Sequence, residues 1–226
     1  MRWERLLFLH WRWSAPEIQL LLPRGLRVDT FADSAWLAIV PFFMRRVHPA
    51  GLFPLPGVSD FLELNVRTYV RDERGVPGVW FFSLACNQPL AVEVARRAFH
   101  LNYVHARMRA SAGLRVVEYS SRRGTSPCAD FRYGAAGDFR EAAPGSLESF
   151  LVERYVLFSS GRRGRLYAGR VHHAPYRIAP ADVSAWSFQP ARDDGFPDPG
   201  CPPDHAVVAA DVSVDAWPVV RTNSGV

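Results

Sequence analysis

Asp60-Phe-Leu-Glu-Leu-Asn-Val-Arg-Thr-Tyr-Val70 is the stretch that decides how this chain folds. Successive side chains of a strand point to opposite faces. Leu62, Leu64, Val66, Thr68 and Val70 therefore share one face, and Phe61, Glu63, Asn65, Arg67 and Tyr69 share the other. The first face is aliphatic. The second carries a carboxylate, an amide and a guanidinium between two aromatic rings. Two readings fit this pattern. It is the wet face of a half-buried antiparallel strand, or it is a polar wall facing a ligand cavity inside a barrel. The flanking rings suit an enclosed site better than open water. Glu63 and Arg67 lie roughly 13 Å apart at Cα on such a strand, so they need not pair with each other.

Outward from this strand the chain reads as many short strands punctuated by a few helices. Leu6 to Trp11, Leu26 to Thr30 and Ala35 to Arg46 are rich in β-formers. Pro41 within the third implies a sheet edge or a bulge. Ser14-Ala-Pro-Glu17 is a capping box that opens a short helix ending at Pro23-Arg-Gly25. His48 to Gly57 is a Pro/Gly loop. Asp72-Glu-Arg-Gly75 turns the chain into an apolar, central strand, Gly78 to Cys86. Pro89 to Phe99 has the spacing of an amphipathic helix. Tyr103 to Arg109, Leu114 to Arg122 and Ala129 to Tyr133 follow as strands. Ser146 caps a helix from Leu147 to about Arg154, and Tyr155 to Ser159 forms a hairpin with Arg165 to Val171. Residues 189–204 are a Pro/Gly-rich loop, Val207 to Val214 is a last strand, and residues 218–226 fray. The 226 residues are read as a single, mainly β domain.

Composition excludes several functions. Every one of the 27 basic side chains is Arg; the chain has no Lys. Lysine Schiff-base chemistry is therefore ruled out. The three cysteines are scattered, with no C-x-x-C spacing, which argues against a disulfide framework or a cysteine zinc site and places the chain in a reducing cytoplasm. The longest uncharged stretch, Val76 to Val92, is broken by Pro, Gly, Asn and Gln, so no membrane span is expected. The arginines are dispersed, and nothing resembles a nucleic-acid recognition element. A nucleophile elbow, a P-loop and a dinucleotide fingerprint are all absent.

Several stretches together resemble the YqjF-like family of uncharacterised bacterial proteins, from about Trp3 to Trp217. They are Leu-Phe-Leu-His10-Trp11, Phe61-x-Glu63-x-Asn65-x-Arg67-Thr-Tyr-Val70, Gly78-Val-Trp-Phe-Phe-Ser-Leu84, Ala95-Arg96-x-x-Phe99-x-Leu101-x-Tyr103 with Ala106-x-Met108, Glu153-Arg154-Tyr155 and Val171-His-His173-x-Pro175. Asn102, Ala85 and Tyr176 stand where the family pattern has Pro, Asp and Trp. That family looks related in fold to acetoacetate decarboxylase, which implies a β-barrel-like body with an internal cavity. Tyr103-Val104 stands where the decarboxylase has its lysine pair. What carries over is the cavity, an Arg from the helix and a Glu on a neighbouring strand.

The resulting candidates are Arg67 as a carboxylate clamp and Glu63 as a general acid or base with a pKa raised by burial. Asn65, Arg96, Tyr103 and His173 are further ligand contacts. For Glu63 and Arg67 the competing reading is a structural ion pair; for Tyr103 it is a half-buried strand Tyr. His172 and His173 point to opposite strand faces, so no metal site is expected, and no cofactor is implied. The expected function is non-covalent binding of a small anionic or carbonyl-containing molecule. The alternatives are a lyase- or isomerase-like enzyme on a small carboxylate or keto acid, with Glu63 as acid/base, and an interaction protein without a ligand site. A raised Glu63 pKa in a closed cavity favours the enzyme; Glu63 paired with Arg favours the binder.

Overall fold

A computed structural model describes residues 1–48, 53–54, 58–90, 92–93, 100–161 and 164–222. Four long strands form its centre. They are β2 (Leu6–Trp13), β4 (Ala35–Arg45), β5 (Phe61–Asp72) and β6 (Pro77–Cys86), each antiparallel to the next. β1 (Arg2–Glu4) extends β2's edge along β4, and β3 (Leu26–Val28) pairs with the far end of β5. The β4–β5 register sets Ala38 beside Arg67, Val40 beside Asn65 and Phe42 beside Glu63.

Beyond β2 the sheet continues through β15 (His205–Ala209) and β14 (Arg177–Ala185) to β10 (Ala129–Ala135), β9 (Val117–Arg122) and β8 (Arg107–Ala112). Beyond β6 it continues in parallel pairing to β7 (Tyr103–His105) at one end and β12 (Val156–Ser160) at the other. β12 forms a hairpin with β13 (Leu166–His172). Short strands complete it: β11 (Arg140–Glu141) on β14, β16 (Val212–Ser213) on β1, and β17 (Asp215–Ala216) and β18 (Val220–Arg221) on β13. The mainly β architecture is as expected. Its pairing order is open, running from β8 to β13, and does not close into the anticipated barrel.

Capping chemistry places the helices. Ser14 accepts from the Glu17 N–H at the start of α1 (Ala15–Leu21), and Ser146 accepts from the Ser149 N–H at the start of α2 (Leu147–Val152). Pro41 is internal, but it lies opposite a break. β2 pairs with β4 up to Ile39, β1 resumes at Phe43, and Arg5 between them has φ 55°. The proline's missing N–H thus falls where the neighbouring strand is already irregular.

Residues 189–204, expected as a Pro/Gly-rich loop, are tied to the sheet at several points. They contain α3 (Gln189–Arg192), and Phe188 and Phe196 are buried against Trp11, Trp13 and Phe82. Asp194 locks the segment to β6: Ser83 donates to it at 2.5 Å and Arg123 at 2.6 Å. The anticipated helix at Pro89 to Phe99 and the loop at His48 to Gly57 fall largely outside the described residues.

The curled sheet buries β5 on both faces. Leu62, Leu64 and Val66 pack against Met108, Tyr119 and Phe131 of β8–β10. On the other side Phe61 and Tyr69 join Phe8, Trp36, Val40, Phe42, Leu84, Tyr103 and Tyr176, under Leu151 and Val152 of α2. This second layer holds Glu63, Asn65 and Arg67.

Candidate functional site

The wet-face reading of β5 is wrong: Glu63 is 3% exposed and Asn65 5%. An ionised carboxylate and a guanidinium are costly to bury unless something compensates them. Each polar side chain of the row answers that cost differently.

Glu63 leans towards β6 and β7. Tyr103 donates a 2.8 Å hydrogen bond to its Oε2, and Cys86 is its neighbour in register on β6. Burial pushes the Glu63 carboxyl up from 4.5 to about 7, while hydrogen bonds from Tyr103 and Asn65 pull it partly back. Behind the strand, Tyr119 donates to the Glu63 carbonyl at 2.9 Å and fixes the backbone.

Arg67 leans the other way, towards β2 and α2. Its Cζ lies 5.2 Å from the Phe8 ring and 5.7 Å from the Tyr69 ring, and it donates at 3.3 Å to the Leu151 carbonyl. Its Nε is buried without a hydrogen-bond partner. No described carboxylate forms an ion pair with it. Tyr176 and His173 stand close enough for its charge to shift their pKa values. The structural Glu63–Arg67 pair is therefore not formed. The two residues head two clusters on one wall, with Asn65 between them.

Asn65 Oδ1 also lacks a partner, as do Trp3 Nε1 and Trp36 Nε1. Among the described residues, all four orphaned buried side-chain atoms lie in this one layer. Buried polar groups are ordinarily satisfied, so this layer is where the described hydrogen bonding is least complete.

His173, 3% exposed, is held between Tyr155 and Tyr176 with centroids at 4.8 and 4.4 Å, and its Nδ1 bonds the Ala174 carbonyl. That leaves Nε2 as the free acceptor. His172 is exposed, on the opposite face. Arg96 lies outside the described residues. Glu153-Arg154-Tyr155 is a structural junction: Arg154 is clamped by Asp29 at 2.9 Å and stacks on Phe150, while Glu153 accepts from the Tyr176 N–H and from the Tyr155 hydroxyl.

Sequence reading left His10 and His205 without roles. His10 Nε2 meets the Tyr69 hydroxyl at 2.8 Å, and its Nδ1 meets His205 Nδ1 at 3.1 Å. His10 and Tyr69 are fully buried and His205 is half-exposed. The Leu-Phe-Leu-His10 alternation carried the signal, because it puts His10 on the same face as Phe8. Among the described residues no group of three or more His, Cys, Asp or Glu could hold a metal, and no helix is long and apolar enough to cross a membrane. A shallow groove of about 460 Å³ lies elsewhere, on the β8–β10 sheet between Arg109, Glu118, Asp130 and Arg132.

Comparison with known proteins places this geometry. Residues 1–213 match the family model DUF2071, described as an uncharacterised conserved protein. The uncharacterised protein YqjF of Bacillus subtilis (strain 168) is 34% identical over 200 residues, covering 87% of this chain and 82% of that protein. Solved structures share the fold at low identity. The enduracididine biosynthesis enzyme MppR complexed with pyruvate superposes with a TM-score of 0.66 at 11% identity, over 97% of this chain and 88% of that one. Acetoacetate decarboxylase from Legionella pneumophila superposes with a TM-score of 0.60 at 12% identity, over 97% and 87%. The chain belongs to the DUF2071, or YqjF-like, family of uncharacterised proteins and has the fold of acetoacetate decarboxylase.

Proposed function

We propose that this protein binds a small carboxylate- or carbonyl-bearing molecule, without covalent chemistry, in the layer between β2–β4–β5 and α2. Arg67 is the clamp. The observation that carries this reading is a guanidinium in an aromatic setting with a buried, unpartnered Nε and no ion pair to a carboxylate among the described residues. Its planar fork matches the two oxygens of a carboxylate. Tyr176, close enough for the Arg67 charge to shift its pKa, supplies a hydroxyl donor beside it. A similar backbone holding pyruvate in MppR supports a ligand of that size.

The test is a thermal-shift screen of small carboxylates and keto acids, including pyruvate, on the wild type and Arg67→Ala. A ligand at a hundred times its Kd stabilises by about 2.7 kcal/mol. For a chain of this length that raises Tm by about 5–10 °C. Arg67→Ala is expected to abolish the shift; a shift that survives it refutes the clamp.

A second reading, catalysis with Glu63 as acid or base, is supported by the two signs named for it above: a carboxyl raised to about 7 beside the Tyr103 hydroxyl, and no ion pair between Glu63 and Arg67. Glu63→Gln then keeps ligand binding while losing any turnover, such as exchange of pyruvate methyl protons for deuterium followed by NMR.

A further inference from the structure

Arg67 is one end of a longer polar chain. Its guanidinium stands beside the Tyr69 hydroxyl and bears on its ionisation. That hydroxyl meets His10 Nε2, and His10 Nδ1 meets His205 Nδ1. Two Nδ1 atoms at 3.1 Å must share one proton: one donates and the other accepts. An added proton changes little in geometry. With both nitrogens protonated, His10 donates to His205 through Nδ1 and to the Tyr69 oxygen through Nε2. The bonds needed by an imidazolium are already built, so what opposes charging is electrostatic.

We propose that the His205–His10–Tyr69 chain is the second half of the anion site, taking up one proton from solvent as a carboxylate binds beside Arg67. This rests on Arg67 being the clamp. Burial first, then the neighbouring His205 and the Arg67 charge, disfavour a charged His10, and burial disfavours a charged His205. A bound anion cancels the Arg67 field and adds an attraction of its own. The proton enters at His205, the half-exposed end. No bond other than N–H and O–H contacts is made or broken, and charge balances as one anion and one proton enter together.

The charges facing the pair are few. From β5 they are Arg67 and the neutral Tyr69, and from β4 Trp36 contributes only an aromatic edge. From α2 Glu148 bears on His205 and favours its charged form. Arg154, which stacks near Tyr69, is neutralised by Asp29. Arg12, over Trp36, is paired with Asp204. Linkage requires the effect to be reciprocal, so affinity for the anion rises as pH falls, by up to about tenfold per pH unit where a full proton is taken up.

The test is a pH-stat titration of the full-length protein with pyruvate at about pH 6, below the ordinary imidazole value, with binding followed in parallel by thermal shift. The expected result is acid consumption approaching one proton per pyruvate bound. His205→Gln, at a half-exposed position, consumes less than half as much acid per pyruvate bound, and its affinity loses most of the wild type's dependence on pH. Pyruvate binding without acid consumption, or consumption and pH dependence unchanged in this variant, overturns the proposal and leaves the clamp standing. Failure of the wild type to bind pyruvate overturns the clamp and this proposal with it.

Discussion

Glu63→Gln should stabilise this protein at pH 8, and by only about a quarter as much at pH 5. Glu63 is fully buried, is unpaired with any described cation, and is raised from 4.5 to about 7 by loss of hydration. Its folded-state pKa thus lies above its unfolded one. Between those values the folded state holds a proton the unfolded state has lost, so stability falls as pH rises through that window. At about 1.4 kcal/mol per unit, ionising Glu63 costs the native state on the order of 3 kcal/mol by pH 8. Below 4.5 both states are protonated and the cost vanishes. Gln has the same shape, stays neutral and still accepts from Tyr103 through its amide oxygen. For a chain of this length the difference corresponds to a Tm gain of about 6–12 °C at pH 8. The assay is urea or thermal denaturation of both proteins at pH 5, 6.5 and 8. Other buried groups, such as His10, are common to both and cancel in the difference. A Tm gap independent of pH, or a wild type that gains on the variant as pH rises from 5 to 8, refutes the reasoning, since either means Glu63 is solvated or paired with a cation.

Gly78→Ala sets a Cβ 2.5 Å from the Val156 carbonyl and 2.7 Å from the Phe158 ring, so it should destabilise by about 2–3 kcal/mol in urea titrations by forcing β6 and β12 apart. Arg154→Met leaves the buried Asp29 with only the half-exposed Arg71, and a loss of about 3 kcal/mol is expected, read by the shift in denaturation midpoint. Phe188→Ala empties a site between Trp11 and Trp13, costs about 3–5 kcal/mol, and should open residues 189–203 to limited proteolysis while leaving the rest protected.

The central strands were legible because local and global demands agree there. Alternation in β5, the apolar run of β6 and the Ser14 and Ser146 caps each fix an element from its own residues. Where pairing alone makes an element, the sequence was silent. β14 carries Pro180 and several alanines, and it is a strand because β10 and β15 flank it. β17 and β18 are two residues each, held by β13, and β18 lies within residues 218–226, which were expected to fray. Residues 189–203 read as loop by composition, yet Phe188, Phe196 and Asp194 anchor them through partners more than a hundred residues earlier. For the site, alternation correctly placed Glu63, Asn65 and Arg67 on one face. It could not say which way each side chain leans. Phe8 and Leu151 draw Arg67 to one side and Tyr103 draws Glu63 to the other.

That division bears on what the shared fold can do without lysine. A buried amine with a depressed pKa is what Schiff-base chemistry requires, and the chain has none. Tyr103 is buried, and its phenol is pushed well above its ordinary value, first by burial and then by Glu63. It therefore remains a neutral donor at any physiological pH, and the carboxyl it bonds is neutral for much of that range. This end of the wall offers hydrogen bonds and a transferable proton, with a neutral thiol, Cys86, in place of an amine. The opposite end offers a cation with no ion pair among the described residues and a histidine pair beside it. On the reading proposed above, a ligand that satisfies both ends carries negative charge at one terminus and a hydrogen-bonding group at the other. Pyruvate analogues lengthened one carbon at a time should therefore show a maximum in stabilisation, and a flat series would mean that only the Arg67 end makes contact.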